Sequence, residues 1–315
     1  MVFNISISLE LNAVILNYYK KMKVKNYIIL FSILLFVFFF SACNKKVEKS
    51  ETISNKGELY LGLKPPGLIP ERFAPGIVST EDLEFLAAIS PNVDEFYFAR
   101  QKKGEASKNL GIRFENGNWK KFMEEPNTGE MFISTDNKTL FLGNKYKERT
   151  ATGWSKEKGL GLPFEQIPIM RLTSSDIGTY VFDERDSIGT LRMSFLKNGV
   201  RQQPIEMGNV FKSGTYISHP FIAPDESYII WDCEKEEGYG SSDLYISFRK
   251  KDGSWSSAIN MGENINSNME DSYASVTSDG KYLIFHRVKL GSTFEESYAN
   301  IFWVDAQVIE NIRPN

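Results

Sequence analysis

Three observations predict an all-β fold for residues 57–315, a single β-propeller of five to six four-stranded blades preceded by a lipoprotein signal peptide. One ten-residue pattern recurs along the chain: residues 89–98 (ISPNVDEFYF), 133–142 (ISTDNKTLFL), 222–231 (IAPDESYIIW) and 276–285 (VTSDGKYLIF), with 172–182 (LTSSDIGTYVF) one residue longer. Each copy runs from an apolar strand end through a Ser/Thr/Pro/Asp/Asn/Gly turn into aromatics or aliphatics, the pattern of a β-hairpin. The copies begin 44, 39, 50 and 54 residues apart, and a propeller blade takes about 40–50 residues. Runs between the Gly, Asn and Asp interruptions fall short of the roughly 10–12 residues a helix needs, which excludes a helical repeat.

Before the repeats come three N-terminal segments. Residues 27–40 (YIILFSILLFVFFF) are apolar except for Ser32 and follow Lys20, Lys21, Lys23 and Lys25, the n-region and h-region of a signal peptide. Fourteen residues are too few for a spanning helix, which needs about 20. Phe40-Ser41-Ala42-Cys43 resembles a bacterial lipobox, with phenylalanine in place of the usual leucine, so residues 1–43 form the signal-peptide region and Cys43 is the expected lipidation site. Residues 1–21 place an apolar stretch and Glu10 ahead of the basic cluster, whereas Met22 opens a conventional Met-Lys-Val-Lys start, so translation is expected to begin at Met22. Residues 44–56 (NKKVEKSETISNK) carry no apolar run and read as a flexible tether.

The folded body, residues 57–315, follows. Residues 110–122 and 244–259 each supply a later strand, a Gly turn and a Gly-x-Trp that opens the next strand. At about 47 residues per blade, 235 residues from Glu81 to the C-terminus make five blades; counting from Gly57 leaves room for a degenerate sixth or a closing strand. The last copy has no evident fourth strand, and residues 58–63 (ELYLGL) form a strand without a blade. We therefore expect the N-terminal strand to complete the last blade, leaving only short, protected edges.

The turn at Pro224-Asp225, its variant Ser278-Asp279-Gly280, residues 238–247 (GYGSSDLYIS), and Gly253-Ser254-Trp255 followed by Asn260-Met261-Gly262 and Ile265-Asn266 resemble the Pro-Asp, WD-like repeats of TolB-like β-propeller lipoproteins. Residues 60–67 (YLGLKPPG) and 73–76 (FAPG) resemble the same group in Bacteroidota envelopes. That resemblance spans about residues 57–312 and implies a six-bladed, envelope-located propeller that binds more often than it catalyses.

Composition and motifs narrow the chemistry. The first 43 residues hold four of the 37 Lys+Arg and one of the 40 Asp+Glu, so the net charge falls from −3 for the whole chain to −6 for the remainder. A nucleic-acid binder would need a basic face instead. The chain contains no Gly-x-Ser-x-Gly, and its only histidines are His219 and His286. Cys233 has no cysteine partner at zinc-finger spacing, and one partial aspartate box, residues 250–255, falls short of the several a sialidase carries. No cofactor or metal is expected. Cys233 reads as a small buried hydrophobe, the acidic stretch from Asp232 to Asp243 as a solvated hairpin loop, and Trp119, Trp154 and Trp255 as packing between blades. Just before the repeats stand Glu84, Glu130, Arg171, His219 and Asp271, candidates for polar ligand binding at the channel mouth. The expected function is a lipid-anchored, non-catalytic outer-membrane propeller, facing the periplasm and binding an envelope protein or glycan. The alternative is a propeller glycoside hydrolase or sialidase-like enzyme acting on polysaccharide.

Overall fold

The computed structural model describes residues 62–115, 118–186 and 188–314. The expected signal peptide, the lipidation site Cys43 and the tether lie outside the described residues. Within residues 57–315 the chain forms β1 (Glu71–Arg72) and then five four-stranded antiparallel sheets. Blade 1 is β2 (Leu83–Ile89), β3 (Glu95–Gln101), β4 (Lys108–Glu115) and β5 (Asn118–Pro126). Blade 2 is β6 (Met131–Ile133), β7 (Thr139–Leu142), β8 (Lys145–Glu148) and β9 (Lys158–Gly159). Blade 3 is β10 (Ile169–Ser174), β11 (Tyr180–Glu184) and β12 (Thr190–Ser194), completed by β15 (Ile205–Glu206) after a hairpin of β13 (Leu196–Lys197) and β14 (Val200–Arg201). Blade 4 is β16 (Thr215–Ile222), β17 (Tyr228–Glu234), β18 (Asp243–Phe248) and β19 (Ile259–Asn260). Blade 5 is β20 (Glu270–Val276), β21 (Tyr282–Lys289) and β22 (Tyr298–Asp305), ordered β1-β22-β21-β20; a short helix α1 (Gln307–Asn311) follows.

The innermost strands touch in a closed cycle, β2 to β6 to β10 to β16 to β20 and back to β2. This is a five-bladed β-propeller. Closure is by an N-terminal strand, but not the one expected: β1 pairs with β22, Glu71 opposite Trp303 and Arg72 opposite Phe302. Residues 58–61 lie outside the described residues, and Gly62 and Leu63 are not strand. The reason is a side chain. Phe73, 1% exposed, follows β1 into the seam between blades 5 and 1, donates its N–H to Ile301 O (2.8 Å), stacks on Phe96 (4.4 Å) and meets Trp303 edge-on (5.2 Å).

Each repeat is the turn joining a blade's first two strands. Ser90, Ser134, Ser175 and Thr277 fix it alike, each hydroxyl accepting a backbone N–H at or just before the start of the second strand, at Glu95, Thr139, Thr179 and Tyr282 (2.9–3.1 Å). Such Ser/Thr turns supply locally the partners that the ladder lacks. Blade 3 corrects the expected alignment. Leu172 pairs with Phe182 inside the sheet and β10 ends at Ser174, so this copy has a turn one residue shorter, not a pattern one residue longer. Trp154 packs between blades, its Nε1–H donating to Tyr97 OH of blade 1 (2.9 Å), and Trp255 meets Phe211 edge-on (5.8 Å).

Candidate functional site

Four of the five innermost strands lose register near their middle, between Phe85 and Ala88, Ile169 and Leu172, Ser218 and Phe221, and Ser272 and Ser275, and β16 slips a second time between Thr215 and Ser218. A bulge of this kind leaves backbone N–H groups without ladder partners and re-aims a side chain. Counted three residues back from the end of each innermost strand, the equivalent residues are Leu86, Glu130, Arg171, His219 and Tyr273. Leu86, His219 and Tyr273 hold positive φ of 58°, 50° and 62°, a conformation that costs a non-glycine residue about 1–3 kcal/mol and persists only where its surroundings enforce it.

The enforcing contacts come from the second strands and run from one blade to the next. Asp183 of blade 3 accepts the His219 N–H of blade 4 (2.8 Å), Asp232 of blade 4 accepts the Tyr273 N–H of blade 5 (3.0 Å), and His286 Nδ1 of blade 5 accepts the Leu86 N–H of blade 1 (3.2 Å). Asp183 also caps Arg171 N–H within its own blade (2.8 Å). Buried backbone donors need such partners.

Two side chains cross the channel. Tyr273 of blade 5 donates its hydroxyl to Met131 O of blade 2 (2.8 Å), and Arg171 of blade 3 donates to Ala274 O (2.9 Å) and Ser275 Oγ (2.6 Å) of blade 5 as well as to His219 O (3.2 Å). The Arg171 guanidinium lies 3.8 Å from the Tyr273 ring centroid, and Tyr273 stacks on His286 at 5.5 Å. Arg171 is wholly buried, yet among the described residues its Nε has no hydrogen-bond partner, nor has the buried Oε2 of Glu130.

Above this plug His219, 16% exposed, sits between carboxylates: Nδ1 is 3.0 Å from both Asp232 oxygens, and Nε2 is 3.5 Å from Glu130 Oε1. Burial opposes a charge on His219, but Asp232 and then Glu130 outweigh it and hold the imidazole well above its ordinary value. His286 goes the other way: burial, then the charges of His219 and Arg171, hold it well below. A neutral His286 fits its hydrogen bonds, since Nδ1 accepts from Leu86 and Nε2 lies 2.7 Å from Ser272 Oγ, which donates to Glu270 (2.8 Å). Burial, reinforced by Glu130, pushes the Asp183 carboxyl up to about 6 against the opposing His219 charge and backbone donors.

The five residues chosen from sequence therefore divide. Glu130, Arg171 and His219 meet in the channel. Glu84 and Asp271 stand two residues earlier in their strands, fully buried and engaged within their own blades. Glu84 accepts from Thr80 and from Arg100 Nε (2.8 Å), and Asp271 accepts from Ser267 and from Arg287 Nε (2.6 Å). Burial raises both carboxyls, which the hydroxyl, backbone and arginine partners oppose. Tyr273 and Asp183 escaped the sequence reading, and Asp232 and His286, noted there as the start of an acidic loop and as one of two histidines, were not placed in the channel. The signal that could have found Tyr273 is a constant offset from the strand ends, which the misplaced blade 3 alignment concealed.

Of the acidic stretch from Asp232 to Asp243, expected to be a solvated hairpin loop, only residues 235–242 are loop: Asp232 and Asp243 are buried residues of β17 and β18, and Asp243 accepts from Tyr239 N–H (2.8 Å), Gly240 N–H (3.1 Å) and Asn260 Nδ2 (2.8 Å). Among the described residues no group of three or more His, Cys, Asp or Glu side chains is arranged to hold a metal ion.

No family model matches this chain, and no curated protein matches it in sequence. Solved structures do match: TolB from Acinetobacter baumannii (10% identity, 72% of this chain and 58% of that one, TM-score 0.43), a putative TolB from Agrobacterium tumefaciens (14%, 71% and 91%, 0.43), and a GH43 endo-arabinanase from Bacillus licheniformis (11%, 72% and 94%, 0.43). The chain thus spans 58% of the length of the Acinetobacter protein. The propeller assignment rests on this chain's own five sheets and closed ring of inner strands.

Proposed function

We propose that the protein is a non-catalytic binding module, lipid-anchored at Cys43 in the outer membrane, facing the periplasm and engaging an envelope protein or glycan through one face of the propeller. The observation that carries this reading is the plug. Glycoside hydrolysis needs two carboxyls on either side of a bound sugar, about 5–10 Å apart with room between them. Here Arg171 and Tyr273 fill that space, while Glu84 and Asp271 are committed to Arg100 and Arg287. With the channel occupied by its own side chains, recognition falls to the surface of the propeller. The anchor is supported by the lipobox-like Phe40-Ser41-Ala42-Cys43, and the periplasmic face by the lack of an acidic run after Cys43.

One observation favours hydrolysis as a second reading: a carboxyl raised to about 6, Asp183, near Glu130 matches the protonated acid such enzymes use. In-cell crosslinking of the tagged, full-length protein, followed by mass spectrometry, separates the two, with Cys43→Ala as the unanchored control. An anchor-dependent partner is expected. Cleavage of a polysaccharide panel by the wild type, abolished by Glu130→Gln, would replace this reading with the second.

A further inference from the structure

The chain enters the propeller on the face that carries the repeat turns. Gly67 O accepts Asp305 N–H (2.9 Å) at the end of β22 that pairs with Tyr282, just after the blade 5 turn, and Leu63 packs on the core at the seam of blades 5 and 1. Leu68 and Ile69, next to this entry, are exposed. Eighteen residues, 44–61, separate Cys43 from Gly62, and a flexible chain of that length spans about 23 Å. Strands of seven or eight residues such as β20, β21 and β22 are themselves about 25 Å long. A tether leaving this face would therefore exhaust its mean reach before the opposite face could rest on the surface that holds the anchor.

Blade 3 adds an apolar tip to the same face. Ser194, the end of β12, pairs with Tyr180, just after the blade 3 turn, and the hairpin of β13 and β14 continues beyond it, an element no other blade has among the described residues. Arg201 ties the hairpin to the turn, donating to Gly178 O and to Ser194 O (3.0 Å) and lying 3.4 Å from the Tyr180 ring centroid. Leu196 packs on Gly178, where a Cβ would stand 3.1 Å from its Cδ2. Leu196 (43% exposed) on one face of the hairpin, Val200 (62%) on the other and Ile177 (69%) on the turn thus stand together at one end of the blade, with Lys197 exposed among them. Asp176, beside Ile177, lines a cavity of about 610 Å³ on the side of blades 4 and 5.

An apolar tip with a flanking lysine, on the face where an anchored chain enters, matches the interfacial region of a bilayer, where apolar side chains bury and lysine stems reach back to the headgroups. We propose that the repeat-turn face lies on the lipid surface, held at blade 5 by the tether and at blade 3 by insertion of Ile177, Leu196 and Val200 among the headgroups. The inference rests on the anchor proposed at Cys43 and gives the binding module an orientation. The face opposite the turns, where Glu130 and His219 stand above the plug, is then the one presented to the envelope partner.

The test uses the full chain, purified from the envelope and reconstituted in vesicles of phosphatidylethanolamine and phosphatidylglycerol. An environment-sensitive nitrobenzoxadiazole dye is placed at Val200→Cys or, on the opposite face just after β21, at Leu290→Cys; Cys233 is buried and stays unlabelled. Intact mass establishes acylation of Cys43. Emission from the dye at residue 200 is expected to shift to the blue and to be quenched by doxyl-labelled lipids at a depth of about 5–10 Å, and that at residue 290 is expected to do neither. Ile177→Asp is expected to lower quenching at residue 200 by at least about twofold. With the protein acylated and vesicle-bound, an unquenched dye at residue 200, or equal quenching at residue 290, would overturn the orientation and leave the anchored module standing. A blue shift at residue 200 that requires an envelope protein fraction, and does not occur on vesicles alone, would assign the tip to a protein and overturn it too. An unacylated Cys43 would remove the anchor reading itself, and the inference with it.

Discussion

Replacing Arg171 with methionine, similar in length but uncharged and unable to donate, tests whether the channel is held shut by a guanidinium. Arg171→Met removes three charge-assisted hydrogen bonds, to His219 O, Ala274 O and Ser275 Oγ, each worth about 1.5–3 kcal/mol. It also removes the contact over Tyr273 at 3.8 Å, about 2 kcal/mol when desolvated. The gross loss is offset by the several kcal/mol it costs to strip a guanidinium of water. The buried acceptors Ala274 O and Ser275 Oγ then lose their donor, at about 1–3 kcal/mol for each group left unsatisfied, so the expected net destabilisation is about 3–5 kcal/mol. In a domain of this size that lowers Tm by roughly 10 °C. Urea unfolding followed by tryptophan fluorescence reads it directly, because Trp231 and Trp303 are 1% and 2% exposed. The control is Arg192→Met, whose partner Glu184 is part-exposed at the propeller surface and whose loss is expected to cost under about 1 kcal/mol. A double-mutant cycle with Tyr273→Leu is expected to show positive coupling of at least about 0.5 kcal/mol. Equal midpoints for Arg171→Met and Arg192→Met would refute the plug and with it the main support for a non-catalytic reading.

Nitrogen-15 NMR of the imidazoles is expected to find His219 protonated and His286 neutral at pH 7, the reverse order contradicting the relay. With its pKa raised, His219 contributes stability fully present below about pH 6.5 and lost as pH climbs through its folded value, while His286, depressed, contributes above pH 6.5 and loses it on acidification. The raised carboxyl of Asp183 stabilises below its unfolded value of 3.8 and loses that contribution as pH rises through about 6. Chemical denaturation of Asp183→Asn should therefore lack about 1–2 kcal/mol of the wild type's gain between pH 7 and 5, and parallel profiles would count against it. Phe73→Ala should cost about 3–5 kcal/mol and speed amide exchange along β22; unchanged exchange would mean that the seam does not depend on Phe73. Cys233, wholly buried and with its thiol pushed up to about 12, should resist Ellman's reagent at pH 8 until the protein unfolds, and prompt labelling would contradict its burial.

The five hairpins were legible because a two-residue period and a Ser/Thr turn are local properties: the Ser90 and Thr277 turns need only residues within five positions. Closure by an N-terminal strand was legible as a deficit, since the last copy lacked a fourth strand. Which strand filled it was not, because the choice turned on Phe73 fitting against Phe96 and Trp303 from two different blades. Glu84 and Glu130 look alike in sequence, each an acid just ahead of a repeat. One is claimed by Arg100 at the facing register position, and the other, just ahead of β6 and outside its ladder, turns toward His219.

The sequence by itself determined the all-β class, the repeat and its spacing, because alternation, turn chemistry and period are written in neighbouring residues. Only the tertiary structure decided which polar residues share the channel. Bulges shift four of the five innermost strands out of register, and contacts such as Tyr273 with Met131 or Arg171 with Ala274 span 142 and 103 residues. Their partners are brought together only when the ring closes, and no local pattern says which residues then meet.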